Sequence, residues 1–344
     1  MLLRELSEIP GVSGDEHRVR DRIWQAIRDR VEGARVDALG NLIAWKGSGL
    51  PGPRVMLAAH MDEVGLMITR IDSHGLLRFR KVGGIDDRVL PAKTVRIGPE
   101  GIPGVIGGKP RHLLKPGEEK KPVSAEDLYI DIGAASREEV ERVVRPGMYA
   151  AFATEFAEVG DGVVKGKAFD DRAGCALLVD LLAEDFPFPV FGVFTVQEEI
   201  GLRGARVAAY DVAPDLALVL EGTTCADIPG AAPHGQSTVF GAGPAITVMD
   251  ATSIPSRPLV DGLVRAAQRR GIPWQWKRTA FGGTDAGSIH LTREGVPAAT
   301  VSVPCRYIHS PCAFMNGSDY ENTRRLLLGF LQDLPAAAAG LHGV

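Results

Sequence analysis

Residues 54–62 read RVMLAAHMD, and this stretch decides the fold class. The run from Arg54 to His60 is continuously apolar in its interior, which is typical of a β-strand that is covered on both faces. Strands of that kind lie in parallel sheets with helices on either side. The run ends in His60-Met61-Asp62, so two polar side chains stand where the strand ends.

Helical and strand patterns alternate on both sides of this stretch. Upstream, apolar spacing predicts a helix over 2–9, and Ser13 with Glu16 forms a capping box for a second helix that runs to about Val31. Downstream, strands are predicted at 190–196, 216–220, 274–277 and 298–303, with helices at 172–183, near 205, at 256–270 and after 284. The alternation predicts an α/β fold with a mixed, mostly parallel sheet between helices.

The sequence from about residue 66 to residue 165 has a different residue pattern. Short alternating runs such as LMITRID (66–72), LLRFRKVG (76–83) and KTVRIG (93–98) are typical of small antiparallel strands joined by tight turns. We therefore predict an inserted smaller β-rich domain over 66–165. The main domain would then be discontinuous, with residues 1–65 and 166–344. A polar stretch at 111–127 is predicted to be an exposed loop.

Composition excludes several classes of protein. With 344 residues, 45% of them hydrophobic and 24% charged, the chain can bury a large core and is not disordered. A net charge of −4 without a basic cluster argues against nucleic acid or a membrane surface as partner. No apolar run is long enough to span a membrane, and four cysteines without CxxC spacing indicate a reducing compartment. We expect a cytoplasmic protein.

Acids and histidines recur where the predicted strands end. Each has an ordinary explanation when taken alone: His60 and Asp62 could be a satisfied strand end, and the Asp170-Asp171 pair is more typical of a helix N-terminus. The carboxyl ends of parallel strands, however, meet at one edge of a sheet, where ligands gather. The residues with this placement are His60, Asp62, Asp170, Asp171, Glu198, Glu199, Glu221 and His309.

These residue types suit a pair of divalent cations. Adjacent carboxylates such as Glu198 and Glu199 repel each other at the end of a buried strand, and a cation relieves that repulsion. One carboxylate can bridge two metal ions, which together turn a water molecule into a nucleophile. Imidazole with carboxylate favours Zn, Co or Mn. A further carboxylate must stay off the metals to move the proton.

Six short motifs, taken in chain order, resemble those of one family, the TET-type di-metal aminopeptidases of the co-catalytic metallopeptidase clan. They are AAHMDEVG (58–65), KAFDDRAGC (167–175), TVQEEIGLRGA (195–205), EGTTCADIPG (221–230), GGTDAG (282–287) and YIHSP (307–311). The resemblance extends into the insert at GVIGGKPRHLL (104–114). It implies an aminopeptidase that hydrolyses N-terminal residues from peptides, with a catalytic domain interrupted by a β-rich dimerisation domain.

The resemblance also implies a role for each site residue. His60 and Glu221 would be ligands of one metal, Glu199 and His309 ligands of the other, and Asp170 would bridge both. Many members carry Asp where this chain has Glu221, whose side chain is one methylene longer. Glu198 would be the general base and Asp62 the partner of His60. A cis peptide between Asp170 and Asp171 is implied, as is assembly of dimers into a hollow tetrahedral dodecamer. We interpret Asp285 as a helix cap.

Two alternatives stay open at this point. A related metal-dependent deacylase or carboxypeptidase could use the same ligands with another substrate pocket. A catalytically silent assembly protein of the same fold is disfavoured, because every ligand position and Glu198 are filled.

Overall fold

A computed structural model describes residues 1–117, 122–278 and 281–337. Its helices are α1 Leu2–Glu8, α2 His17–Ile27, α3 Arg137–Glu141, α4 Phe169–Leu182, α5 Arg203–Val212, α6 Arg257–Arg270, α7 Ala286–Ile289 and α8 Gly317–Ala337. Its first nine strands are β1 Gly33–Val36, β2 Leu42–Lys46, β3 Val55–His60, β4 Gly65–Ile71, β5 Leu77–Val82, β6 Thr94–Ile97, β7 Ile102–Gly107, β8 Tyr129–Asp131 and β9 Tyr149–Phe152. The others are β10 Ala157–Glu158, β11 Val163–Gly166, β12 Val190–Thr195, β13 Leu216–Cys225, β14 Ala245–Thr247, β15 Gln275–Lys277, β16 Ala298–Arg306 and β17 Ala313–Asn316.

The main sheet confirms the predicted fold class. Its strands lie in the order β1-β2-β12-β3-β13-β16-β17-β11-β10, with β14 and β15 branching from β16. The four central strands, β12, β3, β13 and β16, are parallel, while the flanking strands pair antiparallel. Every residue of β3 is buried, as its apolar sequence predicts. His60, Thr195 and Glu221 thus reach the same edge of the sheet.

Helices cover both faces of this sheet. Helices α1, α2, α4, α6 and α8 share the larger apolar core, which is centred on α4 with 13 buried residues. Helices α5 and α7 pack on the opposite face around Val193 and Val219. Within the described residues, no helix is both long and apolar enough to cross a membrane.

The predicted β-rich insert is a small closed barrel. Strands β4-β5-β8-β7-β6-β9 form it antiparallel, around a separate apolar core that includes Leu66, Phe79 and Ile130. The barrel leaves the main sheet directly after β3 and ends at Phe152. The chain then returns to the main sheet, because β11 pairs with β17 and β10 pairs with β11. Residues 157–166 therefore belong to the main sheet and not to the barrel.

Two local predictions differ from the structure, one wholly and one in part. Helix α2 ends at Ile27 rather than near Val31, and Ser13 does not cap it, since its hydroxyl donates to Asp62 at 2.6 Å. Asp285 is the N-cap residue of α7, as predicted, but its side chain makes no capping hydrogen bond. Its carboxylate accepts a hydrogen bond from the Thr195 hydroxyl at 2.5 Å inside the protein. The predicted loop at 111–127 includes residues 118–121, which lie outside the described residues.

Candidate metal centre

His60 ends β3 with both ring nitrogens engaged. Its Nδ1 lies 3.1 Å from the main-chain carbonyl of Asp62, which can only accept, so Nδ1 carries a proton. Its Nε2 faces two carboxylates, 3.2 Å from Asp170 Oδ1 and 3.1 Å from Glu221 Oε1. This is the arrangement of a metal-ligating imidazole whose other nitrogen is fixed by an acceptor.

His309 is held in the same way. It follows β16 with a backbone φ of 54°, in the left-handed region that non-glycine residues rarely adopt. Its Nδ1 donates to the carbonyl of Gly84, in the barrel connection after β5, at 3.0 Å. Its Nε2 lies 3.3 Å from Asp170 Oδ2 and 3.2 Å from Glu199 Oε2.

Asp170 stands between the two histidines, with one carboxylate oxygen facing each. It lies in the first turn of α4, where Asp170 and Asp171 have non-helical backbone angles and the peptide between them is cis, as the resemblance implies. The Asp171 carboxylate turns away from the cluster and accepts from the main-chain N–H groups of His60 and Gly174 at 3.2 and 2.9 Å. Only the first acid of the pair faces the histidines.

Asp62 fixes the Glu198–Glu199 segment. Its two oxygens accept hydrogen bonds from the main-chain N–H groups of Glu198 and Glu199 at 3.0 and 3.1 Å, in addition to the Ser13 hydroxyl. Its Oδ1 lies 3.5 Å from His60 Nδ1, farther than its own carbonyl. The contact between Asp62 and His60 is therefore made mainly through the backbone, and the carboxylate anchors the two glutamates.

The two glutamates occupy different positions. Glu199 Oε2 lies beside His309, whereas the Glu198 carboxylate lies 4.0 Å from His60 Nε2 and takes part in neither cluster. The main chain between these residues and β12 bends at Gln197, whose φ is 57° and whose N–H donates to the buried Glu16 carboxylate at 3.1 Å. The sequence alone did not reveal the roles of Ser13 and Glu16, because their spacing is that of a capping box.

The candidate ligand atoms form two groups that share Asp170. One contains His60 and Glu221, the other Glu199 and His309, and within each group the atoms lie within 4.8 Å of one another. Glu221 Oε2 is buried and has no hydrogen-bond partner among the described residues. An unpartnered carboxylate oxygen beside the His60 imidazole and the Asp170 carboxylate is a donor set that a divalent transition metal would satisfy.

The pKa values reflect this excess of negative charge. Burial raises the pKa of Glu221 to about 7 and that of Glu199 to about 8, against the opposing effects of His60 and His309. Burial also raises the pKa of Glu198 well above its usual value. The pKa of Asp170 is lowered despite burial, because both histidines hydrogen-bond to it. Cations at the two groups would favour the ionised carboxylates.

A buried ion pair between Lys167 and Glu63 lies next to the segments that carry the site residues. The Lys167 ammonium contacts both oxygens of Glu63 at 2.6 and 2.7 Å, and all but a few per cent of both side chains is buried. Arg172, fully buried, donates to the carbonyl of Met61 at 2.8 Å. These contacts tie the segment after β3 to both sides of the Asp170-Asp171 pair. In the sequence, Glu63, Lys167 and Arg172 stand within the quoted motifs, but nothing in the sequence indicates that they contact one another or the site.

Comparison with known proteins relates the chain to a family of aminopeptidases. The profile of the family described as M42 glutamyl aminopeptidase matches residues 40–326. The lysyl aminopeptidase of Pyrococcus furiosus is 33% identical over 345 residues, covering 97% of this chain and 96% of that protein.

Solved structures are similar along nearly the whole chain. The TET aminopeptidase of the marine sediment archaeon Thaumarchaeota archaeon SCGC AB-539-E09 has a TM-score of 0.95 and 37% identity, covering 99% of this chain and 98% of its own. The TET1 peptidase of Pyrococcus horikoshii, described as assembling into a tetrahedron or a large octahedral shell, has a TM-score of 0.86 and 36% identity, covering 95% and 97%.

The close approach of β13 to the cis peptide yields a first prediction. A Cβ atom added at Gly222 would lie 2.8 Å from Asp170 Cα, so Gly222→Ala must displace the shared carboxylate. We expect Zn²⁺ affinity, measured by titration calorimetry, to fall by about 10–100-fold with the circular dichroism spectrum retained. Gly49→Ala is the matched control, because apart from the adjoining residues no atom of the described chain lies within 4 Å of its added Cβ. Wild-type affinity in Gly222→Ala would contradict the shared position of Asp170.

Proposed function

This chain belongs to the M42 glutamyl aminopeptidase family, and we propose that it hydrolyses N-terminal residues from peptides with two divalent cations and Glu198 as general base. The single observation that carries the proposal is the pair of ligand groups joined by Asp170. His60 and Glu221 would hold one cation, Glu199 and His309 the other. The identity of the metal is proposed as Zn, Co or Mn, from the mixture of imidazole and carboxylate.

Bound cations would supply Lewis acidity and lower the pKa of the attacking water. The residues of the chain do the rest. Glu198 takes a proton from the water molecule while the water oxygen bonds to the carbonyl carbon of the peptide. Glu198 then gives that proton to the leaving amine nitrogen as the C–N bond breaks. Glu198 suits this task because its carboxylate lies close to His60 yet outside both ligand groups.

Asp62 would act as a positioning residue. By accepting from the N–H groups of both glutamates, it keeps Glu199 turned toward His309 and leaves Glu198 for the proton. Ser13 in turn fixes the Asp62 carboxylate. A displacement of about 1 Å in such a group is enough to reduce turnover strongly.

We propose that the protein is cytoplasmic. We also propose that it is a homo-oligomer, and the tetrahedral assembly described for the Pyrococcus horikoshii relative offers a precedent. In this proposal residues 1–65 and 166–344, together with the strands between 157 and 166 that pair into the main sheet, form the catalytic metallopeptidase domain. The barrel within residues 66–165 is the dimerisation unit. Peptides are the proposed substrates.

The division of labour between the two glutamates can be tested by substitution. Glu198→Gln keeps the shape and removes the base, so we expect unchanged metal content and a kcat lower by about 10²–10⁴-fold. Glu199→Gln should weaken metal binding instead. The measurements are elemental analysis and hydrolysis of aminoacyl p-nitroanilides, and the exposed Glu155 provides a matched Glu→Gln control. Near-normal turnover in Glu198→Gln, or loss of its metals, would contradict the roles assigned to the pair.

Metal stoichiometry tests the sharing of Asp170. After gentle dialysis we expect up to two divalent ions per chain, one of which is lost in His309→Ala, because its group then has only two ligands. Asp170→Ala should lose both, since each group contains that residue. His74→Ala, on an exposed barrel turn, is the control. If Asp170→Ala retained two ions, the bridging assignment would be abandoned.

Assembly is tested by light scattering at low micromolar concentration in the presence of metal. A dodecamer of 36.7 kDa chains would have a mass of about 440 kDa. A monodisperse monomer under these conditions would overturn the proposed quaternary structure while leaving the site assignments intact.

A further inference from the structure

A pocket of about 470 Å³ opens beside the two ligand groups. Glu198, Glu199, Glu221 and His309 line one part of it, and Lys277 lines another. Among the described residues around the pocket, Lys277 is the only lysine or arginine. Its volume is within the usual range for small-ligand pockets.

Lys277 is an unusual residue in this position. It ends β15 and is only 6% exposed, whereas lysines are almost never that deeply buried without a partner. No hydrogen bond or ion pair joins its ammonium group to any residue in 1–117, 122–278 or 281–337. A cation taken out of water without a counter-charge is unfavourable, so a bound anionic group would stabilise it.

The ligand groups themselves do not supply that counter-charge. Strand β15 pairs with β14, β14 with β16, and β16 with β13, which carries Glu221. Three strand spacings separate the backbones of Lys277 and Glu221 by about 14 Å. No carboxylate among the described residues lies within 4.0 Å of the Lys277 ammonium. Lys277 therefore lines the pocket without an ion pair to the acidic cluster.

We propose that Lys277 determines substrate specificity by binding the side-chain carboxylate of an N-terminal glutamate or aspartate. The inference rests on the proposed function, which puts the scissile peptide at the acidic cluster and so directs the side chain of the N-terminal residue into the remaining pocket. An acidic side chain pairs with Lys277, whereas a lysyl side chain is repelled by it. Family membership does not decide this preference, because a relative with 33% identity is a lysyl aminopeptidase.

The test compares glutamyl with glutaminyl p-nitroanilide, two substrates of nearly equal shape that differ in charge. Each has a single residue, so only an N-terminal side chain can contact Lys277. For the wild-type enzyme we expect kcat/KM to favour the glutamyl substrate by at least tenfold. Lys277→Met, which keeps the chain length and removes the charge, should reduce this ratio by about 10–100-fold.

Two further variants separate recognition from damage to the fold. Lys277→Arg retains the charge and should keep a preference for the glutamyl substrate. Lys93→Met removes an exposed lysine of the barrel and should leave the ratio unchanged. Binding of free L-glutamate and L-glutamine to Glu198→Gln enzyme, measured by calorimetry, tests the same recognition without hydrolysis.

The outcomes distinguish the two proposals. If neither substrate nor a leucyl or lysyl p-nitroanilide is hydrolysed with Zn, Co or Mn, the proposed function fails, while Lys277-dependent glutamate binding would still support the recognition. If leucyl or lysyl substrates are preferred, or if Lys277→Met leaves the glutamyl-to-glutaminyl ratio unchanged, the specificity inference is overturned and the aminopeptidase proposal stands.

Discussion

Three hydrogen bonds to the buried carboxylate of Asp62 hold together parts of the chain that are far apart in sequence. The Ser13 hydroxyl comes from the segment before α2, and the N–H groups of Glu198 and Glu199 come from the turn after β12. Asp62 itself follows β3. Since a buried carboxylate is stable only when it is well hydrogen-bonded, this requirement fixes the geometry of three segments at once. The position of both glutamates depends on it.

A second constraint is electrostatic. Five carboxylates, from Asp62, Asp170, Glu198, Glu199 and Glu221, lie beside only two histidines at one edge of the sheet, and burial raises the pKa of three of them. Among the described residues, no arginine or lysine forms an ion pair with these five carboxylates. The buried cations Lys167 and Arg172 are engaged with Glu63 and with backbone carbonyls. The cluster thus carries an excess of negative charge, which agrees with the proposal that it binds cations.

Much of this could be predicted from the sequence, for physical reasons. Fully buried parallel strands such as β3 have a continuous apolar sequence, and the polar residues that end them necessarily meet at one edge. What the sequence could not reveal depends on contacts between distant segments. Ser13 and Glu16 have the spacing of a capping box, yet the tertiary structure uses both side chains to hold the site. Asp285 precedes a helix and instead binds Thr195. Lys277 gives no signal in a three-residue strand, because its burial depends on the pocket around it.

The insertion of the barrel between His60 and Asp170 has a consequence for how the protein folds. These two residues touch although 110 positions separate them, and contacts of such high sequence separation form slowly, since a long loop must first be closed. Two hairpins of the barrel, β4 with β5 and β6 with β7, are local in sequence, whereas its closure pairs β4 with β9 and β5 with β8 over longer separations. Once folded, it holds the ends of an 88-residue loop together, from Gly65 to Phe152. A folded barrel leaves a shorter loop to be closed between His60 and Asp170, so the entropy lost in bringing these two residues together is smaller than for 110 unstructured residues.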